Sequence, residues 1–190
     1  MTIDGAKIDE ALNWAKVQES LIEADYFDGY SAILNLFEKL DLTNELDVTG
    51  ATYTVYGWMP TIPKREPKAA DLVEFLRDLK NIVQKEDAFS KLRDQPHITL
   101  AVNGSTVGTS KFLHFAAPEI FPIWDSNIAL VFGMKSKVND PATYLDYCDA
   151  VHRRLDDKTN PIDWHAELRK PKELSAVRKL EFCLYAYGKK

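Results

Sequence analysis

The stretch PKAADLVEFLRDLKNIVQKE, residues 67–86, decides the fold class. Leu72, Phe75, Leu76, Leu79, Ile82 and Val83 return at i, i+3, i+4 and i+7, which places them on one stripe of an α-helix. Pro67 suits the first turn, where its missing N–H costs nothing. Working outward, Ala6–Tyr26 repeats the pattern through Ile8, Leu12, Ala15 and Ile22, with Trp14, Val17 and Leu21 widening the stripe. Gly29 reads as a break before a second helix over Ala32–Leu40. Further helices are predicted over Asp87–Gln95, Thr109–Ala116, Ser126–Phe132 (ended by Gly133), from Pro141 through Leu155, and over Glu173–Tyr187. Two segments read differently. Thr43–Pro63, with Gly50, Gly57, Pro60 and Pro63 among aromatic residues, reads as a loop or short strand-like stretch, and His97–Val102 as extended. The expected fold is all-α, with about eight helices and at most a minor strand content.

At 190 residues the chain is long enough for one self-sufficient core, expected to span 1–190 as a single domain. A hydrophobic fraction of 45% and a charged fraction of 28% match a globular protein rather than a disordered or fibrous one. No apolar run is long enough to span a bilayer, so no membrane partner is expected, and the polar start lacks the pattern of a signal peptide. Cys148 and Cys183 lie among apolar residues and read as buried free thiols, which points to a reducing, cytoplasmic setting. The net charge of −5 argues against nucleic acid, but its distribution is uneven. Residues 1–100 carry 11 basic against 18 acidic side chains, and residues 101–190 carry 13 against 11. Four His and two Cys show no metal-ligand spacing, and no nucleotide-binding glycine loop or serine elbow is present. No metal or cofactor is therefore expected.

The chemistry concentrates in VGTSKFLHFAAPEIFPIWDSNIALVFG, residues 107–133. A glycine turn opens a short helix, an irregular Pro-containing segment follows, and Asp125 stands at the mouth of the next helix. This arrangement resembles the helix-hairpin-helix DNA glycosylase superfamily. Val107-Gly108 resembles the end of that family's hairpin, Lys111 stands where lyase-competent members carry their lysine, and Pro122–Ile128 (PIWDSNI) resembles the helix start that holds the catalytic aspartate. Three departures stand out. Gly104-Ser105-Thr106 replaces the hairpin's usual Pro-Gly, Lys111 and Asp125 are about one turn closer than is usual, and Trp124 replaces a small apolar residue. The likeness covers about 30 residues, the catalytic core at 103–133. The phrase K-x-L-H-F-x-x-P-x-x-F-P-I-W-D, from Lys111 to Asp125, also resembles uncharacterised bacterial and phage-related proteins with a shortened version of this core, a likeness that implies a link to antiviral glycosylases that remove phage-modified bases.

The resemblance implies a two-lobed helical enzyme, a monomer, that flips a damaged or modified base, such as a modified cytosine, out of duplex DNA and cleaves its glycosidic bond. Cleavage builds positive charge on the deoxyribose, so a carboxylate beside the anomeric carbon is needed; Asp125 is the candidate. Lys111 is the candidate nucleophile or phosphate contact. Tyr53, Tyr56, Trp58, His114 and Trp124 are candidates for the base pocket. Gly104, Gly108, Thr109, Ser110, Arg169 and Lys170 are candidates for the DNA backbone, with Lys64, Arg65, Lys68, Lys135, Lys137, Lys172, Arg178 and Lys179 as further cations. Each has a plainer reading: Asp125 as an N-cap, His114 as a satisfied structural residue, the aromatic group as core, the cations as solvated charges. The other functional reading is a non-catalytic helical module that binds nucleic acid or a protein partner.

Overall fold

A computed structural model describes residues 3–21, 26–59, 62–79, 85–169 and 174–190. These residues form ten α-helices and two short 3₁₀ turns, with no strand among them. The helices are α1 (Gly5–Lys16), α2 (Tyr26–Lys39), α3 (Glu45–Trp58), α4 (Ala69–Leu79), α5 (Lys85–Asp94), α6 (Thr106–Ala116), α7 (Ser126–Val131), α8 (Pro141–Asp156), α9 (Ala166–Arg169) and α10 (Ala176–Gly188). The all-α class stands. Ile22, Pro60, Ile82, Val83 and Glu173, on which part of the helix and loop readings rested, lie outside the described residues.

Four local readings are corrected. The helix read over Ala6–Tyr26 ends at Lys16, Val17 of its stripe is exposed, and Tyr26 opens α2. Gly29 lies inside α2 and breaks nothing. His97–Val102 is not extended: Pro96–Leu100 is a 3₁₀ turn, with Pro96 at its first position. Most of Thr43–Pro63 is helix α3, capped by Asn44, whose side chain accepts the Leu46 N–H. Its buried residues Val48, Ala51, Thr52, Val55 and Tyr56 keep the helical spacing, while Gly50 and Gly57 fall on the exposed face, where they lower propensity without spoiling the buried stripe.

The buried apolar side chains form one continuous cluster. Helix α6 lies within it, with Thr106, Gly108, Thr109, Ser110, Phe112, Leu113, His114 and Phe115 all buried. It packs on α2, α3 and the Pro96–Leu100 turn, while α10 packs on α1, α7 and α8. Gly108 has no room for a side chain, because a Cβ there would come within 2.4 Å of the Tyr56 hydroxyl oxygen.

Between α6 and α7 the chain passes through the core without regular structure, and Phe121, Pro122, Ile123 and Trp124 are all buried. Buried carbonyls demand donors, and here side chains supply them. Ser175 Oγ donates to Pro118 O (2.8 Å), His152 Nε2 to Ile120 O (2.7 Å), His114 Nδ1 to Phe121 O (2.7 Å) and Tyr144 Oη to Pro122 O (3.2 Å). Ser110 Oγ accepts the Trp124 N–H at 3.0 Å, and its proton reaches Trp124 O at 3.1 Å and Val107 O at 3.0 Å. The Trp124 indole donates to Val138 O at 2.9 Å and packs against Tyr147, ring centroids 4.9 Å apart. The next residue, Asp125, is thereby held at a set place. Ser110→Ala strands the buried Trp124 N–H, and the expected result is a loss of about 1–3 kcal/mol of stability, read as a lower urea midpoint with an unchanged slope.

Candidate functional site

A cleft of about 440 Å³ opens where α2, α3, α6, α7 and α10 face one another. Its lining includes Trp58 and Met59 at the end of α3, Lys111 on α6, Asp125 at the start of α7, and Arg178, Glu181 and Tyr185 on α10. Lys111 and Asp125 are thus brought to one cavity, with Trp58 as an aromatic wall beside them. The Trp58 ring is fixed by an edge contact with Phe115 at 5.4 Å and by Gly29, where a Cβ would come within 3.3 Å of the indole.

Asp125 is the N-cap of α7. Its Oδ1 accepts the N–H groups of Asn127 and Ile128, each at 2.9 Å, which aligns the carboxylate with the positive end of the helix. The cap reading is therefore correct as geometry, and the same carboxylate also lines the cleft. Lys111 is half-buried. Burial pulls its amine below the usual lysine range; Asp125 opposes that shift and the Arg178 guanidinium adds to it.

The remaining pocket candidates separate. Trp124 is fully buried and forms no part of the cleft lining; it is an anchor for the segment that delivers Asp125. Tyr56 is buried against Gly108 below the hairpin, and its phenol is raised by burial and lowered by a bond to Asn103. Tyr53 is 48% exposed and does not line the cleft. His114 is fully buried; since its Nδ1–H is given to Phe121 O, its Nε2 accepts the Tyr30 hydroxyl at 2.9 Å. These four stand apart from the cavity: helix phase turns Tyr56 and His114 into the core and Tyr53 toward solvent, and the irregular segment buries Trp124.

The backbone candidates divide in the same way. Thr109 and Ser110 are buried, the first accepting the Val102 N–H at 3.0 Å and the second bracketing Trp124. Gly108 lies inside α6, not at the hairpin tip. The tip is Asn103-Gly104, both at positive φ (57° and 64°), and Gly104 is exposed. Asn103 Oδ1 accepts the N–H groups of Lys64 and Arg65 (2.8 and 2.9 Å), and Lys68 N donates to Ala101 O at 2.9 Å. Ser105 Oγ donates to Asn139 Oδ1 at 3.0 Å. The exposed Lys64, Arg65 and Lys68 therefore flank this turn, and Lys135 and Lys137 precede Asn139, the Ser105 partner, by four and two residues in the sequence. Arg169 is elsewhere, paired with Asp163 and donating to Trp164 O; Lys170 and Lys172 lie outside the described residues.

Sequence reasoning took Arg178 for a surface cation and passed over Glu181. Both are buried, with side-chain exposures of 1% and 2%, and they form an ion pair on the cleft wall. Opposite charges three apart within AVRKLEFCLYAYG, a mostly apolar helix, are the signal that finds them. Among the described residues, no group of three or more His, Cys, Asp and Glu is placed to hold a metal ion. No protein-family model, curated protein or solved structure matches the chain.

Burial pushes the His114 imidazole down to about 3, helped by Arg178 and opposed by the bond to Phe121 O. An unfolded imidazole takes up its proton near 6.5, so between these values the unfolded chain binds one proton more and stability falls as pH falls. The expected slope is about 1.4 kcal/mol per pH unit for this group, with His152 acting in the same direction. Urea unfolding across a pH series checks it: His114→Gln, which has no proton to gain, should lose stability less steeply between neutral pH and about pH 4.

Proposed function

We propose that this protein is a DNA N-glycosylase that excises a damaged or modified base flipped from the duplex. The observation that carries the reading is the convergence of Lys111 and Asp125, from two helices and across an irregular segment, on one cleft walled by Trp58. A cleft of about 440 Å³ is of the size that holds a small organic ligand. In this reading the cleft lies between two helical lobes, one containing α2, α3, α4 and α6 and the other α1, α7, α8 and α10. The hairpin tip at Gly104, with Lys64, Arg65, Lys68, Lys135 and Lys137 around it, is the surface that meets the phosphates, which answers the objection from an acidic total charge. Duplex DNA is the partner, the modified cytosine of a phage genome is one substrate of the right class, and no cofactor is needed.

The chemistry follows from the two groups. As the bond from C1′ to the base nitrogen breaks, its electron pair leaves with the base and positive charge spreads over C1′ and the ring oxygen. The Asp125 carboxylate faces that charge from a site set before substrate arrives. Either water or the Lys111 amine then adds to C1′. Addition of the amine, with loss of a proton from nitrogen and opening of the sugar ring, gives an imine that borohydride reduces to a permanent link. The lowered proton affinity of Lys111 supplies more neutral amine near neutral pH than a solvated lysine would.

Asp125→Asn keeps the helix cap and removes the charge, so excision should fall about a hundred- to thousandfold while the melting temperature stays close to that of the parent. Lys111→Gln should abolish borohydride trapping on abasic-site duplex. Excision by Asp125→Asn at the parent rate overturns the reading. Trp58→Ala should reduce excision by about 1–3 kcal/mol of lost stacking, with a smaller effect on binding to undamaged duplex. In a filter-binding titration, charge reversal at Lys64 and Arg65 should weaken binding to all duplex sequences alike and flatten its salt dependence.

A further inference from the structure

The Arg178–Glu181 pair has no part in the chemistry just described, although it lines the same cavity. Its construction is costly. Two ions are withdrawn from water, and an apolar pair of similar volume would be as stable or more so. The guanidinium is also fixed from several sides. It pairs with Glu181, and its carbon lies 5.0 Å from the Tyr30 ring centre, 5.6 Å from that of Phe182 and 5.9 Å from that of Trp58. Tyr30 is held in turn through its hydroxyl to His114, and His114 through Phe121 O to the segment that carries Asp125. One connected set of contacts thus joins the guanidinium to the aspartate arm of the cleft.

Among the described residues, the charged or titratable groups lining the cavity are Lys111 from α6, Asp125 from the start of α7, and Arg178, Glu181 and Tyr185 from α10. Tyr147 lies buried beneath Asp125, its phenol kept protonated by burial. Lys111 therefore stands between a carboxylate that favours its ammonium form and a fixed guanidinium that disfavours it. Asp125 cannot be removed to relieve the first effect, because it is the group the sugar cation needs.

We propose that Arg178 is a positioning residue for Lys111: a buried guanidinium, clamped by Glu181 and three aromatic rings, sets a positive charge on the wall of the same cleft that, together with burial, works against Asp125 and favours the nucleophilic form of the amine. The proposal rests on Lys111 being the nucleophile of the reading above. Glu181 is then the control on the device, since it cancels part of the field that Arg178 presents.

The test measures the pH at which Lys111 becomes reactive, in the full-length chain, by trace acetylation with acetic anhydride and peptide mass spectrometry. Borohydride trapping on abasic-site duplex is followed over the same pH series. Glu181→Gln removes the carboxylate paired with the guanidinium and should lower the midpoint. Arg178→Lys keeps the charge and should leave it in place. The double variant Arg178→Gln/Glu181→Gln keeps a polar pair without charge and should raise it by about one pH unit, a tenfold loss of neutral amine. Circular dichroism and melting are recorded for each. Should the double variant not fold, Arg178→Met/Glu181→Leu, an apolar pair of similar volume that also removes both charges, takes its place with the same expected rise. Midpoints that coincide in all folded variants overturn the proposal, whatever their stabilities. Shifts in acetylation with no trapping on any DNA in the parent protein leave the Arg178 device standing and sink the lyase reading; trapping with unmoved midpoints does the reverse.

Discussion

The fold depends on an unusual demand, that of carrying an irregular chain segment through a hydrophobic core. Between α6 and α7 the carbonyls of Pro118, Ile120, Phe121, Pro122 and Trp124 have no helical partner, and five side chains, from Ser175, His152, His114, Tyr144 and Ser110, take them one by one. Each such bond is modest in net terms, but an unmet buried carbonyl is expensive, so the set is enforced by what its loss would cost. The consequence is positional. Asp125 emerges from this segment already oriented, and its carboxylate completes the first turn of α7.

The cleft is built on the same economy of burial. Arg178, Glu181 and Lys111 are withdrawn from water to different degrees; Arg178 and Glu181 pair with one another, and the Asp125 carboxylate on the same cleft favours the charged form of Lys111. In a medium where charges interact strongly, small changes in one member are felt by the others. His114, neutral and fully buried, shows the limiting case, a titratable group whose charged form the core does not admit. The polar groups around the cleft thus behave as a set, and they sit where α10, the helix that packs on α1, α7 and α8, meets the surroundings of α6.

The helices were legible where one face alone is buried. Residues 72–79 and 144–155 announce themselves by period, and α4 and α8 lie there. Helix α3 was hidden by its own glycines and β-branched residues, although Val48, Ala51, Thr52, Val55 and Tyr56 hold the helical spacing. Asp125 and Lys111 stood out in the sequence by type and order, and the structure brings both to one cleft. For Tyr56 as core and His114 as a satisfied structural residue, the plainer readings hold, and Trp124 joins them in the core.

Composition and periodicity alone determined a helical chain with one core, and local residue types singled out Lys111 and Asp125 as a pair to look for together. Only the tertiary structure decided which groups share the cavity. It turned Trp58 inward and Tyr53 outward, set Thr109 and Ser110 to hold the hairpin and the Trp124 backbone, and converted Arg178 from an apparent surface cation into a buried one. The physical reason is that helix phase and packing, not residue type, select the face a side chain presents. A charge on a helix has one meaning in water and another when three aromatic rings and a carboxylate close around it.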